Sequence, residues 1–238
     1  MNGIIGMAGV LAILLAAGGL VALVQRGGVS ARWLGAAAGL VLLNDLLLTR
    51  LYGLLPDLTP GADWNWQGKL LALAGTLAVA SLPAFGWRAS GLALPQADDG
   101  WRPVLLVSGA YVAVFLALAL AFPNAPASAE TVAFQLTLPG LEEEPFYRGV
   151  LLIALMRAFP GRRRILGVDW SWGAVVSCGL FGLAHAFGYS NGAFQFDPLT
   201  MLLTAGPSFI AVWLALRTRS VLLPVLLHNF GNAIGLVI

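Results

Sequence analysis

Residues 103–122 read PVLLVSGAYVAVFLALALAF, twenty residues without a charge between Arg102 and Pro123. A bilayer hydrocarbon core about 30 Å thick needs roughly 20 helical residues at a rise of about 1.5 Å each, so this stretch predicts a transmembrane helix. Seven further apolar runs surround it, at about residues 3–25, 33–54, 69–87, 130–157, 172–189, 199–216 and 220–237. With 59% hydrophobic and 10% charged residues in 238, a soluble core could not hide so much apolar surface. The predicted class is all-α: a polytopic membrane protein, a bundle of about eight transmembrane helices in a single domain over residues 1–238. The first run carries no charge before Arg26 and is too long for a cleaved signal peptide, so it reads as a retained anchor. The low charge excludes a disordered chain, and the single Cys178 excludes a disulfide framework.

The connections between runs carry charge in a strict alternation. Those after the first, third, fifth and seventh runs hold Arg26, Arg32, Arg88, Arg102, Arg157, Arg162, Arg163, Arg164, Arg217 and Arg219, ten basic residues, whereas the other three hold Arg50 and Lys69. The positive-inside rule then puts the Arg-rich connections in the cytoplasm and both termini outside it. Trp33, Trp64, Trp66, Trp87, Trp101, Trp170 and Trp172 fall near run ends, where an amphipathic ring suits the headgroup region. Twelve of the thirteen basic residues are Arg, which suggests a GC-rich bacterial genome, so the expected location is a bacterial inner membrane; a net charge of +2 leaves no nucleic-acid footprint. The Arg162–Arg164 run reads as a topology signal, and the loops near 55–68 and 88–102 as ordinary turns.

Ionisable side chains at membrane depth are costly, about 2.5 to 3.5 kcal/mol on insertion scales, and are therefore functional candidates. The densest group is Leu141-Glu142-Glu143-Glu144-Pro145-Phe146-Tyr147-Arg148-Gly149. Three consecutive carboxylates fan over about 200° of a helix and cannot share one environment. Glu144 and Arg148, four apart, face the same way and should pair, leaving Glu143 free. Pro139, Gly140 and Pro145 predict a helix beginning near Leu141, with the carboxylates in its first turn under the positive end of the dipole.

The two histidines of the chain, His185 and His228, both lie in apolar runs. His228 and Asn232 share a helix face, as do Phe181 and His185, and Gly179 and Gly182 should let a neighbouring helix approach. Asn44, Asp45 and Asn229 read as polar glue between helices, and Cys178 as a small packing residue. Ser177 and Ser208 lack a nucleophile-elbow motif, so a serine hydrolase is not indicated. A carboxylate, two imidazoles and a carboxamide from separate helices can activate water and stabilise an oxyanion, which fits peptide-bond hydrolysis. The same groups could instead ligate zinc in an open site, although no HExxH motif is present.

Glu143-Glu144-Pro145-Phe146-Tyr147-Arg148, Phe181-Gly182-Leu183-Ala184-His185 and His228-Asn229-Phe230-Gly231-Asn232 resemble, in order, the EExxxR, FxxxH and HxxxN motifs of the CPBP family. That family comprises the CAAX prenyl protease 2 (Rce1-type) intramembrane glutamic proteases and the bacterial Abi or bacteriocin-processing proteins. The resemblance covers about residues 103–238, a catalytic core, and leaves 1–102 as additional N-terminal helices. It implies a conical bundle around a polar, water-filled intramembrane cavity. It also implies that Glu143, with His185, polarises water, and that His228 and Asn232 stabilise the oxyanion. Glu144, Arg148 and Phe181 would support the site, and Glu142 lies outside the motif. No cofactor and no metal is implied. The expected partners are the lipid bilayer and a peptide or membrane-protein substrate, cleaved near its end, with no nucleic acid. The competing class is a non-proteolytic membrane scaffold or bacteriocin-immunity protein.

Overall fold

A computed structural model describes residues 2–25, 28–97 and 100–238; Arg26, used in the charge count above, lies outside the described residues. The elements are α1 (Asn2–Val24), α2 (Ala31–Thr49), α3 (Trp66–Ser81), α4 (Trp101–Ala121), α5 (Ala129–Glu144), α6 (Leu151–Ala158), α7 (Trp172–Ala186), α8 (Pro198–Thr218) and α9 (Leu222–Val237). A six-residue π-helical segment, Pro145–Val150, joins α5 to α6, so residues 129–158 run as one helical unit. The predicted all-α membrane architecture is therefore present, with one helical unit for each apolar run. By length and hydropathy α1, α2, α4 and α8 can each cross a membrane alone.

The packing has the inside-out character that a bilayer demands. Large apolar side chains on the outer surfaces of the long helices are exposed, among them Leu20 and Leu23 on α1, Leu105 and Leu120 on α4, and Leu202 and Leu203 on α8. Lipid is their solvent. The interior is filled where α1, α2 and α6 meet, around Leu14, Leu151, Leu155 and Phe159, with a second cluster at Val104, Trp213, Leu214 and Leu227. Cys178 is buried against Leu152, Ala174 and Val212, the packing position expected of it.

Two short hairpins interrupt the helical pattern. β1 (Arg163–Ile165) pairs with β2 (Val168–Trp170), and β3 (Phe187–Ser190) with β4 (Ala193–Phe196), both antiparallel. The two-residue turns Leu166-Gly167 and Asn191-Gly192 have positive φ at both positions, the geometry that matches strand twist. The second hairpin corrects the run predicted over 172–189, because α7 stops at Ala186 and the chain folds back at Asn191. The 69–87 run is likewise shorter as a helix, ending at Ser81. Arg162 donates to the Phe159 and Met156 carbonyls at 2.7 and 2.8 Å, closing the C-terminal end of α6.

The expected helix start near Leu141 is overturned. α5 begins twelve residues earlier, at Ala129, where Ser128 caps it by accepting from the Thr131 N–H at 3.1 Å, and the three glutamates occupy its last turn. Two prolines are absorbed in different ways. The Gly140 N–H, beside Pro139, donates to Asn229 Oδ1 of α9 at 2.7 Å, and Asn229 Nδ2 donates to the Thr137 carbonyl at 3.0 Å. At Pro145, which has no N–H for the i−4 carbonyl, the ladder changes to the wider π pairing, seen in the Leu151 N–H bonding to the Phe146 carbonyl. The carboxylates therefore rely on side-chain counter-charges rather than on a helix N-terminus.

Candidate active site

α5 packs along α9, and the Asn229 clamp sets the register of that contact. Gly140 makes the approach possible, since a Cβ there would come within 2.6 Å of Asn229 Oδ1 and 2.7 Å of the Val225 carbonyl oxygen. One turn further along α5, Glu144 meets His228, the residue before Asn229 on α9, with Nδ1 and Oε1 2.7 Å apart. A carboxylate accepts, so Nδ1 carries the proton and Nε2 is the nitrogen turned towards Glu143, 3.7 Å from its Oε2. Asn229 thus is the interhelical glue predicted for it.

The three glutamates separate as their angular spread requires. Glu142 is fully buried and accepts from Lys69 Nζ of α3 at 2.7 Å. Glu143 accepts from the same Nζ at 2.5 Å through Oε1, while its Oε2 has no hydrogen-bond partner. Glu144, 1% exposed, lies 3.0 Å from Arg148 Nε in the predicted i, i+4 pair. Arg148 also donates from Nη2 to Ser208 Oγ of α8 at 3.0 Å, and its guanidinium sits 4.2 Å above the Phe181 ring. Phe181 in turn meets Tyr147 and His185 with ring centroids 5.1 and 4.8 Å apart. It is the aromatic spacer between the ion pair and the second histidine.

His185 is held by its own helix. Its Nδ1 lies 2.8 Å from the Phe181 carbonyl oxygen, which can only accept, so Nδ1 is the donor and Nε2 the free nitrogen. Gly182, three residues before it, lies against Met201 and Ala205 of α8 and allows the predicted close approach, whereas Gly179 faces open space and does not. Asn232 donates to Gln135 Oε1 of α5 at 3.1 Å. A cavity of about 810 Å³ is lined by Glu143, Glu144, Arg148, Phe181, His185, His228 and Asn232 together with Lys69. All seven motif residues therefore share one cavity, and Glu142 is not on its wall.

Lys69, Gln135 and Ser208 were not among the residues singled out for the site from sequence. Gln135 carried a readable signal, an amide inside an apolar run. Lys69 is the sole lysine of the chain and lies at a run boundary, where a basic residue reads as an interfacial charge. Among the described residues no three His, Cys, Asp or Glu side chains converge as a metal-ligand set.

Polar groups from five helical elements around one cavity, inside a shell that only lipid can solvate, define a polytopic membrane protein with a polar interior. Residues 124–234 match the family model described as type II CAAX prenyl endopeptidase Rce1-like. The match spans just under half of the chain and, with the membrane-spanning helices, indicates an intramembrane protease. No curated protein and no solved structure matches it.

Proposed function

We propose that the protein is a glutamic intramembrane endopeptidase in which Glu143 is the general base. The observation that carries the reading is Glu143 Oε2, a buried carboxylate oxygen of a cavity-lining residue, which has no hydrogen-bond partner and lies 3.7 Å from His228 Nε2. The proposed nucleophile is a water taken up between these two groups from the cavity. Glu143, with His185 Nε2 nearby on the cavity wall, draws a proton from the water as its oxygen attacks the scissile carbonyl. Asn232, oriented by Gln135, and protonated His228, oriented by Glu144, donate to the resulting oxyanion. Collapse of the tetrahedral intermediate breaks the C–N bond, and the proton held by Glu143 passes to the leaving amine. The substrate is a membrane-associated protein or peptide cut near its end.

This chemistry needs no metal. Cleavage of a reporter peptide by the purified protein should be unchanged after exhaustive chelation. Stoichiometric zinc whose removal abolishes cleavage and whose return restores it would overturn the reading and make Glu143, His185 and His228 ligands.

We further propose that the protein lies in a bacterial inner membrane with both termini outside the cytoplasm. The cavity wall includes Thr49 at the end of α2, Lys69 near the start of α3, Thr131 at the start of α5 and Leu236 at the end of α9, and reaches inwards to Leu214 on α8 and Pro224 on α9. The first four lie at the helix ends opposite the Arg-rich connections, and the positive-inside rule places those ends outside the cytoplasm. A cysteine introduced at Arg163 should resist an impermeant thiol reagent in intact cells and react once the membrane is permeabilised. Labelling in intact cells would reverse the orientation.

A further inference from the structure

Lys69 lies in α3, outside residues 124–234 where the family match falls. Its side chain is only 12% exposed, yet its ammonium reaches both Glu142 and Glu143. The first turn of α3 is fastened on two sides before Lys69. Asn65 caps it, accepting from the Gly68 N–H at 2.9 Å while donating to the Leu48 carbonyl at 2.8 Å. Gln67 accepts from the Leu58 N–H at 3.0 Å and donates to the Pro56 carbonyl at 3.1 Å. The ammonium is aimed by this scaffold before any substrate arrives.

The charges around Glu143 explain why a cation is needed there. Glu142 and Glu144 flank it on α5, with Tyr147 and Arg148 in the next turn, His185 facing from α7, His228 from α9 and Asp45 farther off on α2. Arg148 is committed to Glu144 and Ser208. Lys69 therefore supplies the permanent positive charge for the Glu142–Glu143 pair. A purely architectural pair would be complete with the fully buried Glu142, but the same ammonium also reaches Glu143, which lines the cavity. That contact occupies Oε1 and leaves Oε2, 3.7 Å from His228 Nε2, without a hydrogen-bond partner.

We propose that Lys69 is a positioning residue of the active site, contributed by the N-terminal helices, which holds Glu143 ionised with Oε2 directed at the attacking water. The proposal rests on Glu143 being the base. Without the cation the two carboxylates share a proton, and the base is lost in part of the molecules.

The test is steady-state cleavage of a reporter peptide, with a melting curve on each purified full-length variant. Lys69→Met should lower kcat by about 10²-fold with KM nearly unchanged, the scale of a general base made ineffective. Adding Glu142→Gln removes the competing carboxylate, and the double variant should recover about tenfold of that loss at the same KM. A structural role predicts that activity falls in step with folded protein and returns in the double variant only as far as folded protein does. Wild-type kcat in Lys69→Met, or loss that only tracks unfolding, overturns the proposal. Should Lys69→Met not fold, the double variant, which removes one charge of each sign, carries the test: wild-type kcat there overturns it. Glu143→Gln run beside them separates the claims. If it cleaves normally, the base assignment fails; if it is inactive while Lys69→Met turns over normally, only the role of Lys69 falls.

Discussion

Glu143→Gln should reduce cleavage to near background while leaving the protein folded in detergent. The amide keeps the size of the side chain and can still accept from Lys69 through its carbonyl oxygen, but it cannot take a proton from water. General-base catalysis contributes about 10²- to 10⁴-fold, and the loss should reach the upper part of that range because no second free carboxylate replaces it. Glu142 is fully buried off the cavity wall, and Glu144 is engaged by Arg148 and His228. Glu143 is 13% exposed and faces the cavity. The measurement is reporter cleavage with a melting curve in parallel. Normal cleavage by the variant would end the glutamic reading, whereas an inactive variant that still gives the full cellular phenotype would establish the scaffold role instead.

Much of the architecture was legible because a bilayer imposes long-range rules on short stretches of sequence. Apolar run length reported the helical units, and the three spaced motifs located side chains that converge on one cavity. Glu144 and Arg148 paired as the helical repeat requires, since i, i+4 geometry is local. What failed depended on contacts between distant residues. Pro139 and Gly140 looked like a helix start because the sequence does not disclose that Asn229, 89 positions away, receives the stranded N–H. Lys69 looked interfacial because its partners lie 73 and 74 residues further along the chain. The hairpin at Asn191-Gly192 is a different case. Its turn signal was readable, but Phe187, Tyr189, Phe194 and Phe196 made the surrounding residues look like the end of an apolar run.

Arg148→Ala should differ from Glu143→Gln in lowering stability and activity together. Arg148 and Glu144 are buried with side-chain exposures of 2% and 1%, so neither can be rehydrated when its partner is removed. Breaking a buried pair by deleting one member costs about 3 to 5 kcal/mol, because the remaining charge is left without compensation. Here the consequence spreads further, since the guanidinium also donates to Ser208 on α8 and lies against Phe181 on α7. Removing it leaves a void among three helices and releases Glu144, the group that orients His228. The variant should therefore melt well below the wild type in the same detergent, with cleavage reduced even at temperatures where it remains folded. Arg148→Lys separates the two effects. It keeps the charge on Glu144 but offers no planar head to span Ser208 and Phe181, so stability should return in larger part than activity. A wild-type melting temperature for Arg148→Ala would show that Glu144 finds another partner and that the pair is not what locks these helices together.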